Sequence, residues 1–314
     1  MKVYASTQNP TETQEYAARV TGVPSNRIVV RTKRLGGGFG GKESRSVQFS
    51  SLCCIAAKKF KKPIRMILSR YEDMLISGQR HPFYMKYKVS LDENYKFTGL
   101  DINLYANAGF TMDLTRGVID RAVFHACNCY FIPNARICGI PVKTNTASNT
   151  AYRGFGGPQG MYAMESIIVN VSEQLQIDSE LIRDINYFNK GDITPYKQLL
   201  SDDFSIPDLV KQNKSEHNYD ELKKEVEKFN ESSKYIKRGI AHIPTMFGIA
   251  FGVLFLNQAG ALVNIYHDGS VLVSQGGVEI GQGLFTKMTM VAAAELGVPV
   301  EKVFISETST QCKN

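Results

Sequence analysis

Hydrophobic positions recur along this chain at two periods. The Val-rich runs Arg27–Arg31, Met85–Leu91 and Leu262–Tyr266 have the short, β-branched, alternating pattern of strands. Ser46–Phe60, Gly160–Gln176 and Thr286–Leu296 instead carry apolar residues at helical spacing. In the second of these, Met161, Met164, Ile168, Val171 and Leu175 are expected to line one face. Asp268-Gly269 lies between two alternating apolar runs and predicts a tight hairpin turn with positive φ at its centre. Together these elements define an α+β chain.

Between about Ser201 and Arg238 the chain turns polar and charged, with ELKKEVEKF as an amphipathic helix. The expected division is therefore a first subdomain over 1–200, a polar connection over 201–238, and a second subdomain over 239–314. A chain of 314 residues with 43% apolar content is long enough to bury a core, which excludes a disordered tail. Net charge is +7, yet Lys and Arg are interspersed with acids, as in KKPIRMILSRYED. That pattern is a solvated surface suited to small anionic ligands, and it argues against a nucleic-acid-binding stripe.

No run approaches the roughly 20 apolar residues of a membrane span, and MKVYASTQNP lacks the apolar core of a signal peptide. A cytoplasmic protein without a membrane partner is expected, with peroxisomal import left open. The six cysteines show no repeated CxxC spacing, so neither a zinc ribbon nor an iron–sulfur ladder is supported. Cys127 and Cys129 read as reduced, partly buried thiols. Any redox metal must be held in some other way.

One pattern occurs three times: a strand, a glycine-rich loop, then a helix. The loops are Gly36 to Gly41, Arg153 to Gly157, and Gly276 to Gly283. Glycine permits positive φ and close backbone approach, and a helix start offers free N–H groups with partial positive charge, so each loop is a candidate seat for an anionic ligand. Gly36, Gly41 and Lys42 also satisfy G-x-x-x-x-G-K, but a nucleotide-binding P-loop needs a hydroxyl next, and Glu43 would repel the phosphates.

RLGGGFGGKESRS, RYEDMLISGQRHPF, TASNTAYRGFGGPQG, FLNQAGALVNIYHDGSVLVSQGG and GQGLFTKM together closely resemble, in order and spacing, the molybdenum domain of the xanthine dehydrogenase/oxidase family of molybdenum hydroxylases. The resemblance implies that family's molybdenum-cofactor-binding fold, truncated at its C-terminal end. It implies a molybdenum–molybdopterin cofactor with no protein side chain ligating the metal. In a full-length enzyme it also implies 2Fe-2S clusters, FAD and assembly as a homodimer. The implied reaction is purine hydroxylation, hypoxanthine to xanthine to urate, with oxygen from water.

Residue by residue, the resemblance puts Gln8, Phe39 and Arg153 in the vicinity of the molybdenum, with Gly38 and Gly40 in the same cofactor loop as Phe39. Gln282 corresponds to a glutamine beside the pterin. Glu43 and Arg121 correspond to the pair that handles the purine, where a carboxyl shares protons with ring nitrogens and a guanidinium offers fixed donors to a developing negative charge. Phe155 and Phe251 correspond to aromatics that sandwich a flat heterocycle. Aldehyde oxidases of the family typically lack the acid–arginine pair, which favours purines.

Two departures stand out. The family's general-base glutamate lies in a G-x-G-E-like stretch that this sequence does not contain, and Glu279 sits in the wrong motif to replace it. Gly252 stands where the family commonly has a threonine, a change worth about 1 kcal/mol of hydrogen bonding. The expectation is thus a fragment that is incomplete and inactive by itself. The rival readings are a non-catalytic remnant that binds no cofactor, and an aldehyde oxidase fragment.

Overall fold

The computed structural model describes residues 1–201, 204–249, 251 and 254–311; Gly252, singled out above, and Cys312, the last of the six cysteines, lie outside them. In chain order the elements are β1 (Lys2–Tyr4), α1 (Pro10–Thr21), β2 (Val29–Thr32), α2 (Val47–Phe60), α3 (Arg70–Ile76), β3 (Phe83–Leu91), β4 (Phe97–Gly109), α4 (Thr115–Phe124) and β5 (Ala135–Lys143). They continue with α5 (Gly157–Leu175), α6 (Ser179–Asn186), α7 (Ile206–Glu216), α8 (Tyr219–Ser232), β6 (Ala261–Ile265), β7 (Val271–Gln275), α9 (Leu284–Leu296), β8 (Val303–Ile305) and β9 (Thr308–Ser309). The mixed α+β character read from the pattern is the observed one.

The described strands form three three-stranded sheets, ordered β1-β2-β9, β3-β4-β5 and β6-β7-β8. Each contains one parallel pair, β1 with β2, β4 with β5, and β7 with β8. Parallel strands need a long crossover, and here a helix supplies it each time: α1, α4 and α9. β9 returns from the far end of the chain to pair antiparallel with β2, so the N-terminal sheet is closed by residues 280 positions away.

Local signals account for the helix ends. Asn9 Oδ1 accepts from Glu12 N–H at 3.1 Å, Pro10 occupies the first helical position, and left-handed Gly22 closes α1. α5 and α9 begin at Gly157 and Leu284, slightly earlier than the apolar pattern indicates, because left-handed Gly156 and Gly283 stand at their N-caps. β2 starts only at Val29, since Ser25–Arg27 forms one 3-10 turn. The hairpin between β6 and β7 turns through Gly269 at φ +76°, with Tyr266 N–H donating to Ser270 O at 2.9 Å.

The largest core lies between β4 and the pair α4 and α5. Alternation along β4 turns Leu100, Ile102, Leu104, Ala106 and Ala108 inward. Small residues let α4 approach closely. A β-carbon on Gly139 would stand 2.0 Å from Ile119 Cγ2, and one on Gly160 would stand 2.3 Å from the Ala122 carbonyl oxygen. The face expected on α5 needs correction. Met164, Ile168 and Val171 are buried, but Leu175 is 46% exposed and Met161 only half-buried, while Ala163, Glu165 and Ile167 join the buried stripe. Packing against both α4 and α6 widens that stripe beyond one apolar face.

The polar stretch folds as α7 and α8, with ELKKEVEKF inside α8, and both helices pack back on α6. Lys214 lies 3.3 Å from Glu180, Tyr219 donates to Glu180 at 2.5 Å, and Lys223 pairs with Asp178 at 2.6 Å. Cys127 and Cys129 are free and fully buried, and burial pushes both thiols up to about 12. Among the described residues no His, Cys, Asp and Glu cluster suits a metal ion, and no helix is long and apolar enough to cross a membrane.

Candidate cofactor and substrate site

The three glycine loops come from three different crossover units, yet main-chain hydrogen bonds join them. Arg153 N–H donates to the Phe39 carbonyl at 2.9 Å, tying the second loop to the first. Leu35 N–H donates to the Glu279 carbonyl at 2.9 Å, tying the first to the third. Gln8 sits beneath the first loop, where its Oε1 accepts from Gly40 N–H at 3.0 Å and Lys42 N–H at 3.3 Å. The packing there leaves no room for side chains: a β-carbon on Gly38 would meet Gln8 at 2.7 Å, and one on Gly40 would meet the Ala151 carbonyl at 2.8 Å. Phe39 and Gly40 both have positive φ, +54° and +92°.

Together the loops enclose a cavity of 720 Å³. Gln8, Gly38, Phe39, Gly40, Glu43, Arg153, Phe155 and Gln282 all line it. Arg121 and Phe251 line a second cavity of 330 Å³, and Phe155 lines both, so the ten residues singled out in the sequence surround two chambers with one shared wall. Gly36 and Gly281 also line the larger chamber, and a β-carbon on either meets no protein atom within 4 Å. Their missing side chains leave ligand space, which is the shape a bulky anionic cofactor requires.

Two expectations about the loops change. The first loop does not open a helix, because α2 begins only at Val47. The third does, but its helix start is already filled: Glu279 Oε1 accepts from Gly281 and Gly283 N–H at 2.9 and 3.1 Å, and Oε2 from Phe285 N–H at 3.0 Å. The Phe285 amide is the largest influence holding this carboxyl below its usual range, with the other two amides and Arg34 helping. A carboxylate so bound is a cap and a poor proton acceptor. Gln282 is also spent within its loop, accepting from Ile280 N–H at 2.7 Å and donating to the Val278 carbonyl at 3.0 Å.

Burial raises the Glu43 carboxyl above the usual range, and the nearby charges of Asp113 and Glu12 push it the same way. Its neutral form is therefore better populated than that of an exposed glutamate, and it can donate as well as accept. Arg121 Nη1 donates to the Gly248 carbonyl at 2.9 Å, and its guanidinium carbon lies 5.3 Å from the Phe247 ring centre. Phe155 and Phe251 are brought together at 5.4 Å between centroids, tilted by 55°. A flat ring between two aromatic faces needs about 7 Å, so a heterocycle held between these two must part them.

Three contributors were not read from the sequence. Asp113 accepts from Ser44 at 2.7 Å and Thr150 at 2.5 Å, bridging the first loop to the approach of the second. Arg80 donates to the Arg153 carbonyl at 2.8 Å and stacks on Tyr152 at 4.3 Å. Asn257 brackets Phe251, accepting from its N–H at 3.0 Å and donating to its carbonyl at 2.9 Å. Arg80 and Asn257 lie in the motifs RYEDMLISGQRHPF and FLNQAGALVNIYHDGSVLVSQGG, which were the available signal.

A pH dependence follows from His81, which sits at the foot of this region with Nε2 2.8 Å from Thr115 Oγ1. Burial holds its imidazole down to about 4, against the opposing influences of Asp113 and Thr150. The unfolded chain accepts a proton near pH 6.5 that the folded state refuses, so stability present above that pH is lost as it falls toward 4. Urea unfolding at pH 5 is expected to show about 1–2 kcal/mol less stability than at pH 7 from this residue. His81→Gln should flatten that slope, and an unchanged slope would rule the residue out as its source.

The molybdopterin cofactor-binding domain family matches this chain twice, over residues 1–187 and 212–313, and the chain belongs to that family. It is 65% identical over 311 residues to the xanthine dehydrogenase of Blastobotrys adeninivorans, covering 99% of this chain and 22% of that protein. It is 50% identical over 311 residues to the nicotinate hydroxylase of Emericella nidulans, with 99% and 23% covered. The solved quinoline 2-oxidoreductase of Pseudomonas putida 86 shares the fold with a TM-score of 0.82 at 23% identity, over 99% of this chain and 41% of that one. The chain thus spans under a quarter of the length of the curated relatives it matches. Molybdenum–molybdopterin is the family's cofactor, and the glycine-lined chamber fits it.

Proposed function

We propose that this segment supplies the molybdenum-cofactor seat and the substrate wall of a xanthine dehydrogenase that hydroxylates hypoxanthine to xanthine and xanthine to urate with oxygen from water. The observation that carries this reading is the set of three glycine loops hydrogen-bonded to one another around one chamber, which adjoins the Arg121 chamber across Phe155. In it, residues 1–200 form the first cofactor-binding subdomain, 201–238 the connection, and 239–314 belong to the second. The 2Fe-2S clusters, FAD and homodimeric assembly belong to a longer polypeptide.

Gln8, Phe39 and Arg153 hold the cofactor's metal end, and Gln282 orders the loop at its pterin end. When bound, the cofactor supplies the two-electron oxidation and the oxygen transfer. The protein's part is to bind, orient and stabilise charge. Glu43, raised by burial, exchanges a proton or hydrogen bond with ring nitrogens of the purine. Arg121 faces the negative charge that builds on the ring as it is attacked, where a preorganised donor acts with little reorganisation. Phe155 and Phe251 confine a flat substrate.

The test is a molybdenum and pterin assay on the purified chain. Beside it, xanthine hydroxylation is measured with an artificial electron acceptor in a chimera carrying residues 1–311 in the Blastobotrys adeninivorans enzyme. Bound cofactor and xanthine turnover are expected. An empty chain and an inactive chimera would favour a remnant without cofactor, and turnover of nicotinate in place of xanthine would overturn the purine assignment. In an active chimera, Arg121→Met should lower kcat/KM for xanthine by about 100- to 1000-fold, the usual cost of removing one charge-stabilising donor. Unchanged purine turnover in a Glu43→Val, Arg121→Tyr double variant would discredit both roles.

A further inference from the structure

The substrate wall contains little regular secondary structure. From Gly239 to Ile249 the chain forms neither helix nor strand, yet Phe247 and Gly248 stand against Arg121 and lead into Phe251. One face of α4 and of the turn after it holds this strap through side chains. Gly117 and Arg121 lie one turn apart on α4, His125 is its C-cap, and Asn128 follows in the next turn at φ +45°.

Asn128, His125 and Arg121 meet successive parts of the strap, which runs in the opposite direction, and Gly117 adjoins Phe155 and Phe251. Asn128 Nδ2 donates to the Pro244 carbonyl at 3.2 Å. His125 stacks on Phe247 with centroids 4.8 Å apart and planes within 6°. Arg121 binds the Gly248 carbonyl, and a β-carbon on Gly117 would press on Phe155 at 2.9 Å and approach Phe251 at 3.7 Å. Gly157 lies against both rings: a β-carbon there would stand 2.4 Å from Phe247 and 3.4 Å from His125. The Phe247 ring is thus shared between His125 and Arg121.

We propose that His125 is a positioning residue for the substrate site: by stacking on Phe247, it fixes the strap and through it the Arg121 guanidinium and Phe251. His125 is buried and does not line the Arg121 chamber, so it acts through its neighbours. The proposal rests on the reading of Arg121 and Phe251 as substrate-facing. It assigns the geometry of that pair to the face of α4, which no single motif encodes.

The test uses the active chimera described above, with His125→Ala, which removes the stack, and His125→Phe, which keeps a ring against Phe247. His125→Ala is expected to raise KM for xanthine about tenfold, the effect of about 1.4 kcal/mol, with a smaller change in kcat and unchanged molybdenum content. His125→Phe should recover part of the loss. Amide hydrogen exchange should accelerate in His125→Ala over 244–251 and not in α5. An unchanged KM, or activity lost only in proportion to molybdenum, would overturn the proposal. If His125→Ala does not accumulate, Phe247→Leu carries the same expectation while leaving α4 intact. The two readings separate on Arg121→Met: if it leaves xanthine kinetics unchanged, the substrate-site reading fails, and if it cripples them while His125→Ala does not, only the positioning role fails.

Discussion

Arg183→Met is expected to destabilise the fold by about 3–5 kcal/mol, the usual penalty for leaving one member of a buried ion pair alone. Arg183 Nε lies 2.9 Å from Glu165 Oε2, and the two residues are 4% and 9% exposed. Glu165 also accepts from Tyr130 at 2.6 Å and from Asn128 Nδ2 at 3.0 Å, while Arg183 Nη1 donates to Ser179 at 2.9 Å. Burial, with the Glu165 carboxylate beside it, drives the Tyr130 hydroxyl well above its ordinary range and keeps it a donor. Without the guanidinium, this network retains a carboxylate charge that two neutral donors do not balance. The double variant Glu165→Gln, Arg183→Met should cost clearly less than the single change, because no buried charge is left over. Urea unfolding at pH 7 measures both, and a single-variant loss below about 1 kcal/mol would mean that water reaches the pair.

The same network reaches the strap. Asn128 binds Glu165 and the Pro244 carbonyl with one amide group. Loss of Arg183 is therefore expected to loosen the strap as well.

Gly156→Ala is expected to cost about 3–5 kcal/mol, combining left-handed strain of about 1–3 with overpacking of about 1–3. Gly156 has φ +103°, and a β-carbon there would stand 1.9 Å from the Val118 carbonyl oxygen and 3.1 Å from Ala122 N. Both neighbours are α4 backbone, which cannot rotate away as a side chain would. Gly191 separates the two contributions, since it has φ +87° and open space around the added carbon. Gly191→Ala should lose only about 1–2 kcal/mol. If the two variants unfold at the same denaturant concentration, the contact between the second glycine loop and α4 is softer than the structure indicates. Because α4 carries Arg121, any Gly156→Ala protein that does fold should also have a displaced guanidinium, and under the proposed function the chimera carrying it should turn over xanthine more slowly.

Much of the molecule was legible in the sequence, for identifiable reasons. Periodicity located β3, β6, α2 and α9, although no residue of β6 is buried and α9 buries only Ala293. The Asp268-Gly269 turn followed from local backbone chemistry. The three glycine loops were visible as composition, and the ordered motifs tied them to a family. What failed locally was burial by several partners at once. α5 is packed against both α4 and α6, so its buried stripe includes Glu165 and omits Leu175, which a one-sided pattern cannot express.

By itself, the sequence determined the element types, the hairpin turn, and the identity of residues able to cradle an anion or face a heterocycle, because these depend on backbone allowance and side-chain chemistry within a few positions. Only the tertiary structure decided that Arg153 N–H meets Phe39 O and Leu35 N–H meets Glu279 O, so that loops more than 100 residues apart share one chamber. It alone showed that Glu279 is consumed by the start of α9, and that Gly117, Arg121, His125 and Asn128 grip an otherwise irregular strap. Such partnerships are distances between crossover units, and close packing of glycines against distant backbone sets them.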